Sequence, residues 1–214
     1  MIASKAYSKG FSLFELVIVV ILLAVILSFA IPQYIGIKNQ AHNASVDAIA
    51  GAFSSAVGMV RGQWELEGRP SSRSNKTFVN YGGVIVGIDG VLGTPTSDET
   101  EKKDTRAEAI NANKCRQVLN VILQDAPSST LSNEISRIKS VSFLVRYNAE
   151  STQCYYYLTH TIDIKSIPTN TREISGITGF SYLAKTGKVK IFKNKVIKKR
   201  LTYENAIVKK FTNE

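Results

Sequence analysis

Residues 11–31 read FSLFELVIVVILLAVILSFAI, and Glu15 is their only ionisable side chain. At about 1.5 Å rise per residue a helix over these positions is roughly 31 Å long, close to the hydrocarbon thickness of a bilayer. The stretch is therefore read as a membrane span. A short basic leader with Lys5 and Lys9 precedes it, and Gly10 stands immediately before the apolar run. A secretory signal has a shorter apolar core ending in small residues at its cut site. Ala24, Ser28 and Ala30 imitate such a site, but the run is long and lacks a clean cleavage motif. A carboxylate within a span costs about 2.5–3.5 kcal/mol on insertion scales, which marks Glu15 as a functional group. The plainer alternative is an anchor whose Glu15 snorkels to the interface.

The stretch Gly10-Phe11-Ser12-Leu13-Phe14-Glu15 resembles the processing site of type IV prepilins, with Gly10, Phe11 and Glu15 each at a position of that motif. The resemblance is specific over residues 5–34 and general beyond them. It implies cleavage by a prepilin peptidase between Gly10 and Phe11, methylation of the new Phe11 amine, and an assembly role for Phe11 and Glu15. The physical chemistry agrees. After cleavage a cationic amine lies four residues from a carboxylate in apolar surroundings, where charges require pairing. In a filament the expected pair is Glu15 of one subunit with the Phe11 amine of its neighbour. The implied division is a leader over 1–10, a transmembrane and filament-core helix over 11–31, and a globular head over 32–214 that includes the second half of the long helix.

Charge is concentrated near the C-terminal end. Residues 185–210 hold ten cations against Glu204 alone, a net nine of the chain's formal +10. Lys5 and Lys9 ahead of the span place the leader in the cytoplasm by the positive-inside rule, and hence the head on the far side of the inner membrane before it reaches the pilus and cell surface. In that compartment the two cysteines, Cys115 and Cys154, are read as one disulfide, although two free thiols fit the count as well.

Beyond Pro32, which is expected to bend the helix, residues 34–64 continue a helical pattern. Ala41, Ala44, Ala48, Ala52, Ala56 and Val60 fall three to four residues apart, and Ile49, Phe53 and Val57 widen that stripe. Its small residues, Ala48, Gly51, Ala52, Ser55, Ala56 and Gly58, are read as the surface against which a sheet is laid. Gly36, Gly51, Gly58 and Gly62 each argue against an unbroken helix, at about 1 kcal/mol apiece. Gly68-Arg69-Pro70 ends it. Residues 77–79 and 84–88 read as irregular extended segments. A second helix is expected to start at Thr105 or Asp104, with Glu108 at capping-box spacing from Thr105, and to run to Gln124.

From Ser140 the apolar period becomes two. Val141, Phe143, Val145 and Tyr147 lead across 148–151 into the tyrosine-rich run 153–160, and Phe180, Tyr182 and Ala184 lead across 185–188 into Val189 and Ile191. Four antiparallel strands follow. The fold class is α+β: a long N-terminal helix, membrane-spanning in its first half, packed on a roughly four-stranded antiparallel sheet, the fold the resemblance also implies.

No enzyme site, metal or cofactor is read from the chain. His42 and His160 have no second ligand at metal spacing, Asp89-Gly90 lacks the companions of a calcium loop, and Gly-x-Ser-x-Gly and phosphate-loop patterns are absent. Asp98, Glu99, Glu101 and Asp104 are read as an acidic start to the second helix. The expected function is that of a structural subunit of a type IV pilus. Sixty residues follow Cys154 and carry most of the charge, so it looks more like a minor pilin of the mannose-sensitive haemagglutinin (MSHA) class, serving adhesion or pilus biogenesis, than the bulk fibre protein. The implied partners are other pilin subunits, the prepilin peptidase, the inner membrane and the assembly machinery. Two alternatives stand beside it: a pseudopilin of a type II secretion system, and a pilus-tip module that holds DNA or an anionic surface through Lys188, Lys190, Lys198, Lys199 and Arg200. Against the latter, the same lysines can be a solvated strand face that discourages edge pairing.

Overall fold

The computed structural model describes residues 12–163, 167–168 and 176–193, apart from the side chains of 32, 33, 35, 36, 38 and 39. Its contacts divide the chain into two units, residues 1–44 and 45–214. Helix α1 (Leu13–Leu66) runs without interruption through the glycines and Pro32. It therefore supplies the whole described part of the first unit and the first element of the second.

In the second unit α1 buries Val46, Ala50, Phe53, Val57, Val60 and Trp64, spaced three or four residues apart. This corrects the sequence reading of the helix face. Of the small residues expected against the sheet, only Ala56 is buried; Ala48, Gly51, Ala52, Ser55 and Gly58 are exposed. The large side chains decide the orientation, because a buried Val or Phe removes far more apolar area from water than an alanine does. The helix closes with two bonds, Arg69 N–H to Trp64 O at 2.9 Å and Gly68 N–H to Glu65 O at 3.1 Å, a Schellman ending on the expected glycine.

Strands β1 (Thr77–Tyr81), β2 (Val84–Ile88) and β3 (Pro95–Asp98) form an antiparallel three-stranded sheet in chain order. The sequence reading took this region as irregular. Tyr81 pairs with Val84, so the loop is Gly82-Gly83 alone, both at positive φ (59° and 90°), the two-residue turn that matches strand twist. The Asn80 side-chain oxygen accepts from Gly83 N–H at 2.9 Å and fixes that turn.

The second helix also differs from expectation. A short 3-10 turn spans Ala107–Ala109, and α2 covers Ala112–Ile122 with Asn111 as its N-cap, the side-chain oxygen accepting from Lys114 N–H at 3.0 Å. Thr105 is not available as a cap. Its hydroxyl accepts from Thr77 N–H at 2.9 Å and donates to Asn75 O at 3.3 Å, tying the loop to the start of β1.

The main sheet has the order β4-β5-β6-β7-β8: β4 (Ser129–Thr130), β5 (Phe143–Asn148), β6 (Gln153–Leu158), β7 (Gly179–Leu183) and β8 (Lys188–Phe192), with a short helix α3 (Ile135–Lys139) between β4 and β5. The four expected antiparallel strands are β5–β8, and the two expected hairpins close at Asn148↔Gln153 and Leu183↔Lys188. The two-residue β4 adds a parallel edge beside Phe143.

Period two sends alternate residues to two cores. Facing α1, Phe53 is ringed by Tyr156, Phe180 and Tyr182, with centroids 5.6, 5.4 and 5.2 Å away, in the tilted and edge-on arrangements that aromatic quadrupoles favour. On the opposite face Leu144, Tyr155, Tyr157 and Phe192 gather with Ile138 and Ile177. Both faces of the sheet are thus covered, so residues at both alternating positions of β5–β7 are buried.

Candidate functional site

Gly10 and Phe11, the expected cleavage and methylation positions, lie outside the described residues. Glu15 is the one acidic residue in the first turn of α1, where a carboxylate also complements the helix dipole. From Leu13 to Ile31 the helix is long and apolar enough to cross a membrane, and none of that window is buried within the chain. Phe14 and Phe29 are each 73% exposed. A continuous exposed apolar surface of this size requires lipid or other helices around it.

In the second unit the exposed side of α1 carries a different chemistry. Ala48, Gly51, Ser55, Gly58 and Gly62 alternate at three and four residues, so they form one stripe along the helix. A Cβ added at Gly51, Gly58 or Gly62 would meet nothing within 4 Å. Such a stripe lets another helix approach backbone to backbone, as small residues do at helix interfaces in membranes.

The head is clamped beneath this helix. Cys115 on α2 and Cys154 on β6 form a disulfide with their Cα atoms 5.6 Å apart. The Lys114 ammonium, buried beside it, pairs with Glu101 at 3.1 Å and donates to Asp104 O at 2.5 Å. Burial opposes ionisation of Glu101, but the Lys103 N–H, the Lys114 ammonium and the Asp104 N–H outweigh it and hold the carboxyl below its usual range. Asp104 is likewise held low, chiefly by its hydrogen bonds from the Arg106 guanidinium, 2.7 Å at the closest. The acidic cluster read as a helix start is therefore a loop fastened onto α2.

Two residues escaped the sequence reading. Asp89, considered only as a poor calcium ligand, is a buried carboxylate that accepts from Val91, Leu92 and Ala107 N–H at 2.8, 2.9 and 2.8 Å, organising the turn before β3. The signal available for it was Asp-Gly ahead of Leu-Gly, a side chain folding back on its own turn. Arg146, on β5, is buried and donates to Pro168 O (2.9 Å), Leu131 O (2.9 Å), Val145 O (3.0 Å) and the Asn133 side-chain oxygen. Burial lowers its pKa, and the four acceptors compensate the desolvated cation.

Of the expected anion-binding residues, Lys188 and Lys190 are exposed and two apart on edge strand β8, hence on one face. Lys193 pairs with Asp47 of α1 at 2.7 Å. Lys198, Lys199 and Arg200 lie outside the described residues. Among the described residues no three His, Cys, Asp or Glu side chains are grouped so as to hold a metal ion.

Comparison with known proteins bears on the N-terminal region. The family described as "Prokaryotic N-terminal methylation motif" matches residues 5–31. The chain is 41% identical over 49 residues to the "Type IV narrow pilus major component PilA5" of Thermus thermophilus, a match that covers 23% of this chain and 42% of that protein. No solved structure matches. Both likenesses are local: the N-terminal region carries the methylation motif and is similar to part of a type IV pilus component, and the match spans less than half the length of that relative.

Proposed function

We propose that the protein is a structural subunit of a type IV pilus, a minor or accessory pilin of MSHA-like kind, cut between Gly10 and Phe11 by a prepilin peptidase and methylated at Phe11. Before assembly it is held in the inner membrane by residues 11–31. In the fibre Glu15 pairs with the Phe11 amine of a neighbouring subunit. The single observation that carries this reading is α1: one continuous helix whose Leu13–Ile31 part is wholly uncovered and whose later turns expose a stripe of small residues. Both surfaces are suited to other helices, the first in lipid or a filament core, the second at close backbone approach. A minor role is supported by the long basic stretch beyond the disulfide.

The test is the fibre fraction. Wild-type protein is expected in fibres sheared from the cell surface, and Glu15→Ala is expected to be processed yet missing from them. Wild-type protein confined to the membrane fraction would instead indicate a pseudopilin of a type II secretion system, and normal assembly of Glu15→Ala would overturn the pairing. A second reading, contact with DNA or an anionic surface, is supported by the shared exposed face of Lys188 and Lys190 on β8. The absence of any DNA shift at low salt would remove it.

A further inference from the structure

A groove of about 900 Å³ lies between the β1–β2 hairpin and the C-terminal half of α2. Its apolar wall includes Val84, Val121 and Leu123, and its polar wall includes Asp98, Glu99, Thr100, Gln117, Asn120 and Gln124; among the described residues no lysine, arginine or histidine lines it. The part of that wall made by Asp98, Thr100 and Gln117 is short of donors for a definite reason. The Thr100 hydroxyl gives its one hydrogen to Asp98 Oδ1 at 2.6 Å, so it must accept from the Gln117 amide nitrogen, 3.0 Å away. That fixes the amide orientation and leaves Gln117 Oε1 as a buried acceptor without a partner. Asp98 Oδ2 and the exposed Glu99 carboxylate likewise have no donor among the described residues. A groove that offers acceptors and negative charge beside apolar side chains fits a segment that brings cationic donors interleaved with aliphatic groups.

The chain contains such a segment. Residues 195–203 read KVIKKRLTY, part of the stretch that holds nine of the ten net charges. The strand that leads to it lies on the other flank of α1. A Cβ on Gly187, in the β7–β8 turn, would stand 3.4 Å from Val57, and Lys193 at the end of β8 pairs with Asp47. On the groove side, the Tyr81 hydroxyl donates to Met59 Sδ at 3.4 Å. Asp47 and Met59 are twelve positions apart, about 120° around an α-helix, and lie on either side of the buried row that includes Val57. An acceptor groove on one flank and, on the other, the strand that precedes the donor segment are complementary but not self-complementary, the arrangement that adds copies head to tail into a ring or an open helical assembly.

We infer that this groove is the docking site for residues 195–203 of a second copy of the chain, with Lys198, Lys199 and Arg200 on the Asp98–Glu99 wall and Val196, Ile197 and Leu201 against Val84, Val121 and Leu123. The inference rests on the reading of the protein as an assembling subunit and names the contact between neighbouring heads.

The full chain in detergent micelles, with Leu201 replaced by the photo-crosslinker benzoylphenylalanine, tests it when nitrogen-14 and nitrogen-15 protein are mixed before illumination. The expected product joins the residue-201 peptide of one isotope to groove peptides from β2 or α2 of the other. Glu99→Lys, at an exposed position outside the core, should lower that product about threefold or more, and its mixture with a Lys199→Glu chain should restore it. Crosslinks joining peptides of one isotope only would show that the segment occupies its own chain's groove and overturn the proposal. Crosslinks that miss the groove, or a yield unmoved by Glu99→Lys, would overturn it as well. Because the assay is independent of fibres, its failure with normal fibre incorporation leaves the pilus reading intact.

Discussion

The Tyr156 hydroxyl donates to the main-chain carbonyl of Cys115 at 2.8 Å, two residues along β6 from the Cys154 that is bonded to the same residue. Helix α2 is thereby held to the central strand at one point by a covalent bond and a hydrogen bond. The disulfide acts through the unfolded chain, where closing a loop of about forty residues is worth roughly 3–4 kcal/mol in the chain-entropy model. The hydroxyl acts in the folded state by satisfying a buried carbonyl. Tyr156→Phe should cost about 1–3 kcal/mol with the disulfide intact, and the paired Cys115→Ala, Cys154→Ala change about 3–4 kcal/mol, both read from denaturant unfolding of the detergent-solubilised chain by near-ultraviolet circular dichroism. A Tyr156→Phe midpoint equal to wild type would contradict the role given to the hydroxyl.

A coupling is expected between Gly87 and Ser97, which face each other across β2 and β3. A Cβ on Gly87 would fall 2.1 Å from Ser97 Oγ, and that hydroxyl is buried without a partner. Ser97→Ala alone should be neutral or stabilising, since it removes an unsatisfied polar group. Gly87→Ala alone should cost about 1–3 kcal/mol by overpacking. In the double variant the nearest remaining contacts are 3.3 Å, so much of that cost should vanish. Additive effects in a double-mutant cycle would count against this geometry.

Stability should fall at both ends of the pH scale. Glu101 and Asp104 are held below their ordinary values of 4.5 and 3.8, so the folded state gains from their ionisation above those values and loses that gain as the pH falls through and below 4. Tyr156 and Tyr182 are pushed above the ordinary 10, Tyr156 by burial and then by Tyr182, and Tyr182 chiefly by burial. Their contribution is whole below pH 10 and is lost above it, because the unfolded chain ionises first. Melting temperatures measured across the scale should form a plateau with an acid and an alkaline edge. Tyr182→Phe should move the alkaline edge upward and leave the acid edge in place.

On the exposed stripe of α1, Gly58→Leu should leave the head intact or stabilise it by about 0.5–1 kcal/mol, as a better helix former with open space around it. Fibre yield should fall because the side chain blocks close helix approach. A normal yield would mean that this stripe faces no neighbour.

The sequence made some of this legible and hid the rest for physical reasons. Residues 11–31 declare themselves because nothing else in the chain is so uniformly apolar, and the β5–β8 hairpins because period two is strong there. The buried face of α1 was read correctly at Phe53, Ala56, Val57 and Val60 and misread at the other alanines and the glycines, which recur at helical spacing on the wrong side while the large side chains carry the area that decides. The β1–β2 hairpin was announced by two apolar runs separated by Gly82-Gly83, a signal passed over because the runs are short. Thr105 looked like a cap from its local spacing, and only the distant Thr77 and Asn75 explain why it is not one. The buried role of Arg146 was not legible, because alternation cannot tell that both faces of a sheet are covered.

The most direct test of the assembly role is the mass of the N-terminal peptide of protein recovered from sheared surface fibres. The account predicts a chain that begins at N-methylated Phe11 and retains Glu15. A chain in fibres that begins at Met1, or at a cut beyond Ala24, would contradict it.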